Sequence, residues 1–341
     1  MITTLLSLYV TAALYGNELP APTAQTLSWN DSTLLTATAI PQKKPENVAP
    51  VINAKSAIAV DLKSGYILYE KNIYESRPIA SLTKLMTAVI LLEENNLGDT
   101  ATISNNTTKT PGSKIWLTSG EKITVENLLY GALINSANDA AVALAEYNSG
   151  NVTDFVKKMN LKSKELGLYS TTFTNPTGLD LEKKPDQNAP QGGSSQSTTS
   201  SQSATQKLIS SQTAVPLNQA GQLNPAGPPG DNYSTAYDLS LLGRYAFGKS
   251  FIRRAAIKKE FEITSTNGKL KHKLKNTNEL LGSYLNVLGL KTGTTDQAGE
   301  CLIGIIENEK QNQILTIVLD SPDRYKETKI LADWVYRSYT W

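Results

Sequence analysis

Two side chains three residues apart, Ser81 and Lys84, are the strongest candidates for covalent chemistry in this sequence. Residues at i and i+3 share one face of a helix, so these two side chains can touch. The segment that follows Ser81 is apolar on almost every side of a projected helix, which predicts a buried helix with Ser81 as its N-cap or first-turn residue. A capping serine beside a surface lysine would give the same four-residue pattern.

Burial would change the chemistry of this lysine. Transfer out of water and the positive end of the helix dipole both disfavour an ammonium group, so we expect the pKa of Lys84 to lie below its ordinary value. A neutral lysine could then accept the hydroxyl proton of Ser81 and turn it into a nucleophile. Further motifs elsewhere in the sequence are needed to distinguish a catalytic Ser81 from a serine that only caps a helix.

Composition narrows the possible chemistries. The 341-residue chain has 33 Lys and Arg against 31 Asp and Glu, and no basic stripe interleaved with aromatics, so nucleic-acid binding has little support. Its one cysteine, Cys301, excludes an internal disulfide and is expected in an apolar core strand. Its one histidine, His272, excludes a histidine-rich metal site. We therefore expect no metal and no cofactor.

The surroundings of His272 bear on the identity of the catalytic base. Lysines alternate with apolar residues in the segment 269–275, which predicts an exposed strand with His272 on a solvated face. A Ser-His-Asp triad would need this histidine, in surroundings that do not suit one. If the protein is a serine enzyme, lysine is the available base.

The chain is expected to contain one large folded region with less structured flanks. Residues 1–16 are an apolar run, shorter than a bilayer span, that resembles a signal peptide; a truncated start or an anchor would look similar. The Pro- and Thr-rich tract up to residue 50 predicts a tether. Residues 51–341 form the predicted catalytic domain, interrupted at 182–231 by a Gln, Ser, Pro and Gly-rich insertion that we expect to be disordered.

The periodicity within residues 51–341 predicts an α+β fold. Ser56–Asp61 and Tyr66–Glu70 flank a Lys-Ser-Gly turn and predict a hairpin, whereas residues 81–180 are mostly helical. The C-terminal third predicts strands at Glu260–Ser265, Lys269–Lys275, Val287–Thr292, Cys301–Glu307 and Gln313–Leu319, closed by a helix after Pro322. We expect one antiparallel sheet in which the hairpin joins the C-terminal strands, flanked by helices, beside an all-helical lobe at about 81–245.

Two further motifs follow Ser81 and Lys84 in the chain. Ser136-Ala137-Asn138 falls in a predicted turn between helices, and Lys291-Thr292-Gly293 closes a predicted strand. Each motif alone is common. The set Ser-x-x-Lys, Ser-x-Asn and Lys-Thr-Gly, in this order, is typical of penicillin-binding proteins and β-lactamases.

On these residues the chain resembles the low-molecular-mass penicillin-binding proteins, and among them the serine-type D-alanyl-D-alanine carboxypeptidases of peptidase family S11. The likeness runs from Ser56 to Trp341 apart from the insertion. It includes Asp61–Gly65, Leu68–Asn72, Gly112–Ser113, Gly120–Glu121, Asn138–Glu146, Phe173–Asp180, Tyr233–Ala236 and Gly289–Asp296. The family fold, an antiparallel sheet packed by helices beside a helical lobe, agrees with the predicted architecture.

The resemblance implies a role for each motif residue. Ser81 would be the nucleophile and Lys84 its base, while Ser136 with Lys291 would relay a proton to the leaving D-alanine and Asn138 would orient the substrate amide. The backbone N–H groups of Ser81 and Thr294 would form the oxyanion hole. Substrate binding would involve Thr292, Gly293, Thr294 and Arg324, with Arg324 holding the terminal carboxylate.

The function implied by the resemblance is removal of the terminal D-alanine from peptidoglycan stem peptides through a Ser81 acyl-enzyme, with β-lactams as covalent inhibitors. Such an enzyme would be exported, to the periplasm or the extracellular face of the envelope. A peptidoglycan D,D-endopeptidase, a β-lactamase and a non-catalytic wall-binding scaffold are the alternatives. Against a β-lactamase, no Glu-x-x-Leu-Asn sequence lies between Asn138 and Lys291. Because the sequence ends at Trp341, we expect no C-terminal membrane anchor.

Overall fold

The computed structural model describes residues 40–180 and 231–341. The predicted leader, the predicted tether before residue 40 and the predicted insertion at 182–231, except its last residue, lie outside the described residues.

The first described stretch contains β1 (Gln42–Lys43), β2 (Ser56–Asp61), β3 (Ile67–Lys71), β4 (Arg77–Pro78), a 3₁₀ turn (Ala80–Thr83), α1 (Lys84–Glu94), β5 (Thr100–Thr102), α2 (Asn105–Lys109), β6 (Lys122–Thr124), α3 (Val125–Ile134), α4 (Asn138–Ser149) and α5 (Val152–Glu165). The second contains β7 (Tyr233–Ser234), α6 (Ala236–Gly248), α7 (Ser250–Ala256), β8 (Glu260–Thr264), β9 (Lys271–Lys275), a 3₁₀ turn (Glu279–Gly282), β10 (Asn286–Thr295), β11 (Gly299–Glu307), β12 (Gln313–Ser321), α8 (Arg324–Ser338) and β13 (Tyr339–Thr340).

An antiparallel sheet of five strands, in the order β10-β11-β12-β2-β3, is the largest sheet in the described part of the chain. The N-terminal hairpin β2-β3 joins the C-terminal strands because β2 pairs with β12, placing Ile58 opposite Ile317. Every residue of β2 is buried, as expected for a central strand covered on both faces. The predicted α+β fold is confirmed, and Cys301 is buried within β11 as predicted.

Helices cover the two faces of this sheet. On one face, α8 packs Leu331, Trp334 and Val335 into an apolar cluster with sheet residues. On the other face, α6 approaches closely because Gly243 has no side chain, and a Cβ there would lie 2.7 Å from a methyl group of Leu315. The sheet is therefore packed between helices on both faces, which fixes the position of the residues that strand β10 carries.

The helical lobe is built around α1. Residues Lys84–Leu91 of this helix are all buried, which confirms the prediction from its all-round apolar pattern. The lobe also contains a two-stranded sheet of β5 and β6. A second two-stranded sheet, β8 with β9, stays separate from the five-stranded sheet, so these two predicted strands exist but do not extend it.

The folded region begins before residue 51, where the predicted tether should have ended. Gln42 and Lys43 form β1 and pair with β13, and the indole N–H of Trp334 donates to the Val48 carbonyl at 2.7 Å. The order of this segment depends on backbone pairing with β13, at the far end of the described chain. Since the segment has no apolar periodicity, its sequence did not predict this order. Among residues 40–180 and 231–341, no helix has the length and apolar character needed to cross a bilayer.

The prediction that His272 lies on a solvated face was wrong. Its neighbours Lys271 and Lys273 are exposed, but the alternation of β9 turns His272 inward, where it is 7% exposed. Its Nε2 lies 2.9 Å from a carboxylate oxygen of Glu121, and its Nδ1 lies 2.7 Å from the carbonyl oxygen of Ile115. Because both partners can only accept, the imidazolium form is favoured, and chiefly the hydrogen bond to Glu121 raises the pKa of His272.

Protonated His272 should stabilise the folded state in a pH-dependent way. A raised folded-state pKa gives a contribution that is fully present below the unfolded pKa of about 6.5 and is lost as the pH rises through the folded pKa. We expect the difference in unfolding free energy between wild type and His272→Gln, measured by denaturant titration, to be largest at acidic pH and to shrink at alkaline pH. Lys273→Gln, on the exposed face, serves as the control. A difference for His272→Gln that does not change with pH would contradict this prediction.

Candidate active site

Ser81 lies on a 3₁₀ turn rather than on the first turn of an α-helix. The turn spans Ala80–Thr83 and α1 begins only at Lys84, so the predicted capping role for Ser81 is replaced by contacts to the site. Its hydroxyl oxygen lies 2.7 Å from Lys84 Nζ and 3.4 Å from the carbonyl oxygen of Thr177. The Ser81 hydroxyl is therefore held by the lysine and faces the cleft between lobe and sheet.

The Lys84 amine is enclosed by three oxygen atoms. Nζ is 2.7 Å from Ser81 Oγ, 2.7 Å from Asn138 Oδ1 and 2.7 Å from the carbonyl oxygen of Thr177. The amide and carbonyl oxygens can only accept hydrogen bonds, so a neutral amine donates its two hydrogens to them. Its lone pair then points at the third neighbour, the Ser81 hydroxyl.

The electrostatics of the site favour this neutral form. Lys84 is fully buried, and the loss of solvation is the main reason that its pKa lies well below the ordinary value for lysine. The positive charge of Lys291 lowers the pKa of Lys84 further, whereas Asp139 opposes the shift. The direction of this shift was predicted from burial, whereas the contribution of a second lysine, Lys291, was not predicted.

Ser136 of the helical lobe and Lys291 of the sheet meet across the cleft. Ser136 lies between α3 and α4 with a positive φ of 55°, and its hydroxyl accepts a hydrogen bond of 2.9 Å from Lys291 Nζ. Lys291 extends from β10, is 1% exposed, and also donates to the carbonyl oxygen of Thr292 at 2.8 Å. Burial, and then the charge of Arg324, lower the pKa of Lys291 to about 7.

Strand β10 runs directly beside the turn that carries Ser81. A Cβ at Gly293 would lie 3.0 Å from the backbone nitrogen of Ser81, so glycine permits this approach. Arg324, at the start of α8, donates to the Gly293 carbonyl at 3.0 Å and to the Thr294 hydroxyl at 2.5 Å. Thr292 pairs its hydroxyl with that of Thr277 at 2.6 Å. The structure thus brings all nine predicted site residues to one cleft.

Arg324 keeps unused hydrogen-bonding capacity. Its Nε is buried and has no hydrogen-bond partner among the described residues, and the nearest carboxylate oxygen, from Glu300, lies 4.0 Å away. A guanidinium in this state can bind an incoming carboxylate. Within the described part of the chain, no cluster of three or more His, Cys, Asp or Glu side chains is arranged to hold a metal ion.

The loop of residues 173–180 completes the site, although no role was predicted for it. Its Thr177 carbonyl binds Lys84, while Asn175 Oδ1 accepts from the backbone of Thr177 at 3.1 Å and of Gly178 at 2.7 Å. Buried Asn232 fastens the loop to the turn, donating 2.9 Å hydrogen bonds to the Thr83 hydroxyl and to the Asn175 carbonyl. The Asn-Pro-Thr-Gly sequence is typical of a turn, but turn residues do not reveal that the Thr177 carbonyl contacts Lys84.

The chain belongs to peptidase family S11, whose family model is described as D-alanyl-D-alanine carboxypeptidase and matches residues 42–323. The resemblance inferred from the motifs is thereby confirmed. The D-alanyl-D-alanine carboxypeptidase DacF of Bacillus subtilis is 30% identical over 293 residues, which cover 84% of this chain and 63% of the relative. The chain spans about 63% of the length of this relative and of a second such carboxypeptidase, DacC of Escherichia coli.

Solved structures agree with this assignment. A D-alanyl-D-alanine carboxypeptidase from Mycobacterium tuberculosis superposes with a TM-score of 0.68 at 25% identity, over 87% of this chain and 96% of that one. Penicillin-binding protein D2 from Listeria monocytogenes, in its ampicillin-bound form, gives a TM-score of 0.63 at 29% identity, over 85% and 99% of the two chains.

The turn that carries Ser81 should depend on the missing side chain of Gly178. A Cβ at Gly178 would lie 1.8 Å from the Ala80 carbonyl oxygen, so Gly178→Ala must displace the turn. We expect the rate of Ser81 acylation by penicillin to fall by about 100-fold, as misplaced reacting groups do. Gly150→Ala is the matched control, because Gly150 has a similar positive φ (76° against 82°) and open space around it. Equal acylation rates in the two variants would contradict this account.

Proposed function

We propose that the protein is a serine-type D-alanyl-D-alanine carboxypeptidase that removes the terminal D-alanine from peptidoglycan stem peptides. One observation carries the proposal: Lys84 Nζ lies 2.7 Å from Ser81 Oγ, with both of its other polar neighbours restricted to accepting hydrogen bonds. A serine with a neutral amine at this distance is prepared for general-base activation. The S11 family membership supports the substrate class.

In the acylation step, Lys84 accepts the Ser81 proton while Oγ forms a bond to the carbonyl carbon of the penultimate D-alanine. The backbone N–H groups of Ser81 and Thr294 stabilise the resulting oxyanion, each contributing about 3–4 kcal/mol. The close approach of Gly293 to the Ser81 backbone supports this pairing. The peptide C–N bond then breaks, and the leaving nitrogen takes a proton relayed through Ser136 and Lys291. Water subsequently hydrolyses the acyl-enzyme.

Recognition of the substrate end is assigned to the sheet side of the cleft. The terminal carboxylate binds Arg324, whose Nε has no partner among the described residues, together with the Thr292 and Thr294 hydroxyls. A substrate without a free carboxylate would leave the Arg324 Nε–H without an acceptor, which favours carboxypeptidase action over cleavage within a chain. On the helical side, Asn138 orients the substrate amide.

The proposed substrate places the protein at the cell envelope, exported to the periplasm or the extracellular face. β-Lactams would acylate Ser81 in the same way as the substrate does. The ampicillin-bound form of the Listeria monocytogenes relative supports this extension to β-lactams.

The proposal is tested by product analysis on a stem pentapeptide that ends in D-Ala-D-Ala. We expect wild type to release one equivalent of D-alanine and Ser81→Ala to lose at least about 1000-fold in kcat, as removal of a nucleophile does. Ser250→Ala, an exposed serine at the start of α7, is the matched control and should retain full activity.

Three outcomes would replace the proposal with an alternative. Cleavage of a cross-linked peptide dimer without D-alanine release from the monomer would indicate an endopeptidase. Rapid turnover of penicillin, instead of a long-lived adduct on Ser81, would indicate a β-lactamase. Neither D-alanine release nor a penicillin adduct in wild type would indicate a non-catalytic scaffold.

A further inference from the structure

Trp116 is the most exposed aromatic side chain in the described part of the chain, with 78% of its surface accessible. Its neighbours Ile115 and Leu117 are buried. Its φ of 63° lies in the left-handed region, which is an outlier for so bulky a side chain. An unfavourable backbone conformation that displays an apolar ring to solvent gives no stability, and such outliers cluster at functional sites.

The conformation of Trp116 is imposed by Asp139. The buried Asp139 carboxylate accepts hydrogen bonds of 3.2 Å from the backbone nitrogens of Ile115 and Leu117, one on each side of Trp116. The Ile115 carbonyl is held in turn by His272 at 2.7 Å. Both flanking residues are fixed in this way, and the tryptophan ring between them projects into solvent.

The loop that carries Trp116 is also tied to the active site. The Asn138 backbone nitrogen donates to the Ser113 carbonyl at 2.7 Å, and Asn138 Nδ2 donates to the Pro111 carbonyl at 2.9 Å. Asn138 is the residue whose Oδ1 holds Lys84. The loop that carries Trp116 is therefore in direct contact with Asn138, on the helical side of the cleft.

A lysine orients the indole ring. Lys114 Nζ lies 5.7 Å from the ring centroid and is itself fixed by a 3.1 Å hydrogen bond to the Thr108 carbonyl. A cation over one face of the ring leaves the opposite face for a ligand. A flat, open aromatic face suits the C–H side of a sugar ring, whereas an amino-acid side chain is better held in a pocket.

We propose that Trp116 forms a binding subsite for the saccharide-bearing end of the peptidoglycan substrate. The inference rests on the proposed carboxypeptidase function. With the terminal carboxylate at Arg324 on the sheet side, the upstream part of the substrate leaves past Asn138 toward the loop of Trp116. Three stem residues precede the D-Ala-D-Ala unit and span about 10 Å when extended. The sugar would therefore contact the loop of Trp116, which lies beside the site, and would not contact Ser81 itself.

The test compares two substrates that differ only in the sugar: a free stem pentapeptide and the same pentapeptide attached to its disaccharide. We expect Trp116→Ala to lower kcat/KM at least fivefold more on the disaccharide-linked substrate, mainly through KM, and Trp116→Phe to restore most of the loss. Tyr169→Ala, which removes another exposed aromatic ring of the helical lobe, is the matched control and should show no such difference. Equal losses on both substrates, or none, would overturn the proposal.

Thermal unfolding separates binding from a structural role. Trp116→Asn relieves the left-handed strain, because asparagine tolerates a positive φ, so its melting temperature should equal or exceed that of wild type. A clear decrease would overturn the proposal, because it would show that the ring stabilises the fold.

A binding measurement keeps the inference testable if wild type releases no D-alanine and the proposed function fails. Titration with a disaccharide-tripeptide should then change the tryptophan fluorescence of wild type and not of Trp116→Phe. Absence of a change in wild type would overturn the subsite.

Discussion

The amine of Lys84 is buried among the Ser81 hydroxyl, the Asn138 amide oxygen and the Thr177 carbonyl, and the geometry of the cleft is arranged around these three contacts. The contacts come from three separate parts of the chain: the 3₁₀ turn, the start of α4 and the loop of residues 173–180. Two of the oxygens can only accept, so the nitrogen has one direction left for its lone pair. The same burial that makes an ammonium unfavourable there makes a neutral base available.

Bringing these segments together requires close backbone approach on both sides of the turn. Gly178 presses against the Ala80 carbonyl, and Gly293 of β10 lies against the Ser81 backbone, so a side chain at either position would clash with the turn or crowd it. The five-stranded sheet supplies the rigidity on one side, and α1, buried along almost its whole length, supplies it on the other. Fold and site are connected here, because β10 carries Lys291 and binds Arg324 of α8 through Gly293 and Thr294. The charge of Arg324 lowers the pKa of Lys291, and that of Lys291 lowers the pKa of Lys84.

Apolar periodicity and short motifs predicted the individual helices and strands and the class of site. The apolar periodicity after Ser81 indicated the buried helix, the strands of the C-terminal third lie where alternation placed them, and three short motifs indicated the class of site. Contacts between distant segments were missed. The Thr177 carbonyl is a backbone group that no residue type reveals, the pairing of Gln42 with Thr340 joins opposite ends of the fold, and the burial of His272 depends on which face of β9 meets Glu121. Each of these depends on tertiary geometry rather than on sequence periodicity.

The central claim is that burial holds the pKa of Lys84 well below its ordinary value while its amine touches Ser81. An NMR titration of protein carrying ¹³C-labelled lysine tests it directly, with the Lys84 signal assigned by its disappearance in Lys84→Met and distinguished from Lys291 by Lys291→Met. The account predicts a Lys84 pKa well below the ordinary value for lysine. A Lys84 signal that titrates near about 10.4, like that of a solvent-exposed lysine, would contradict it.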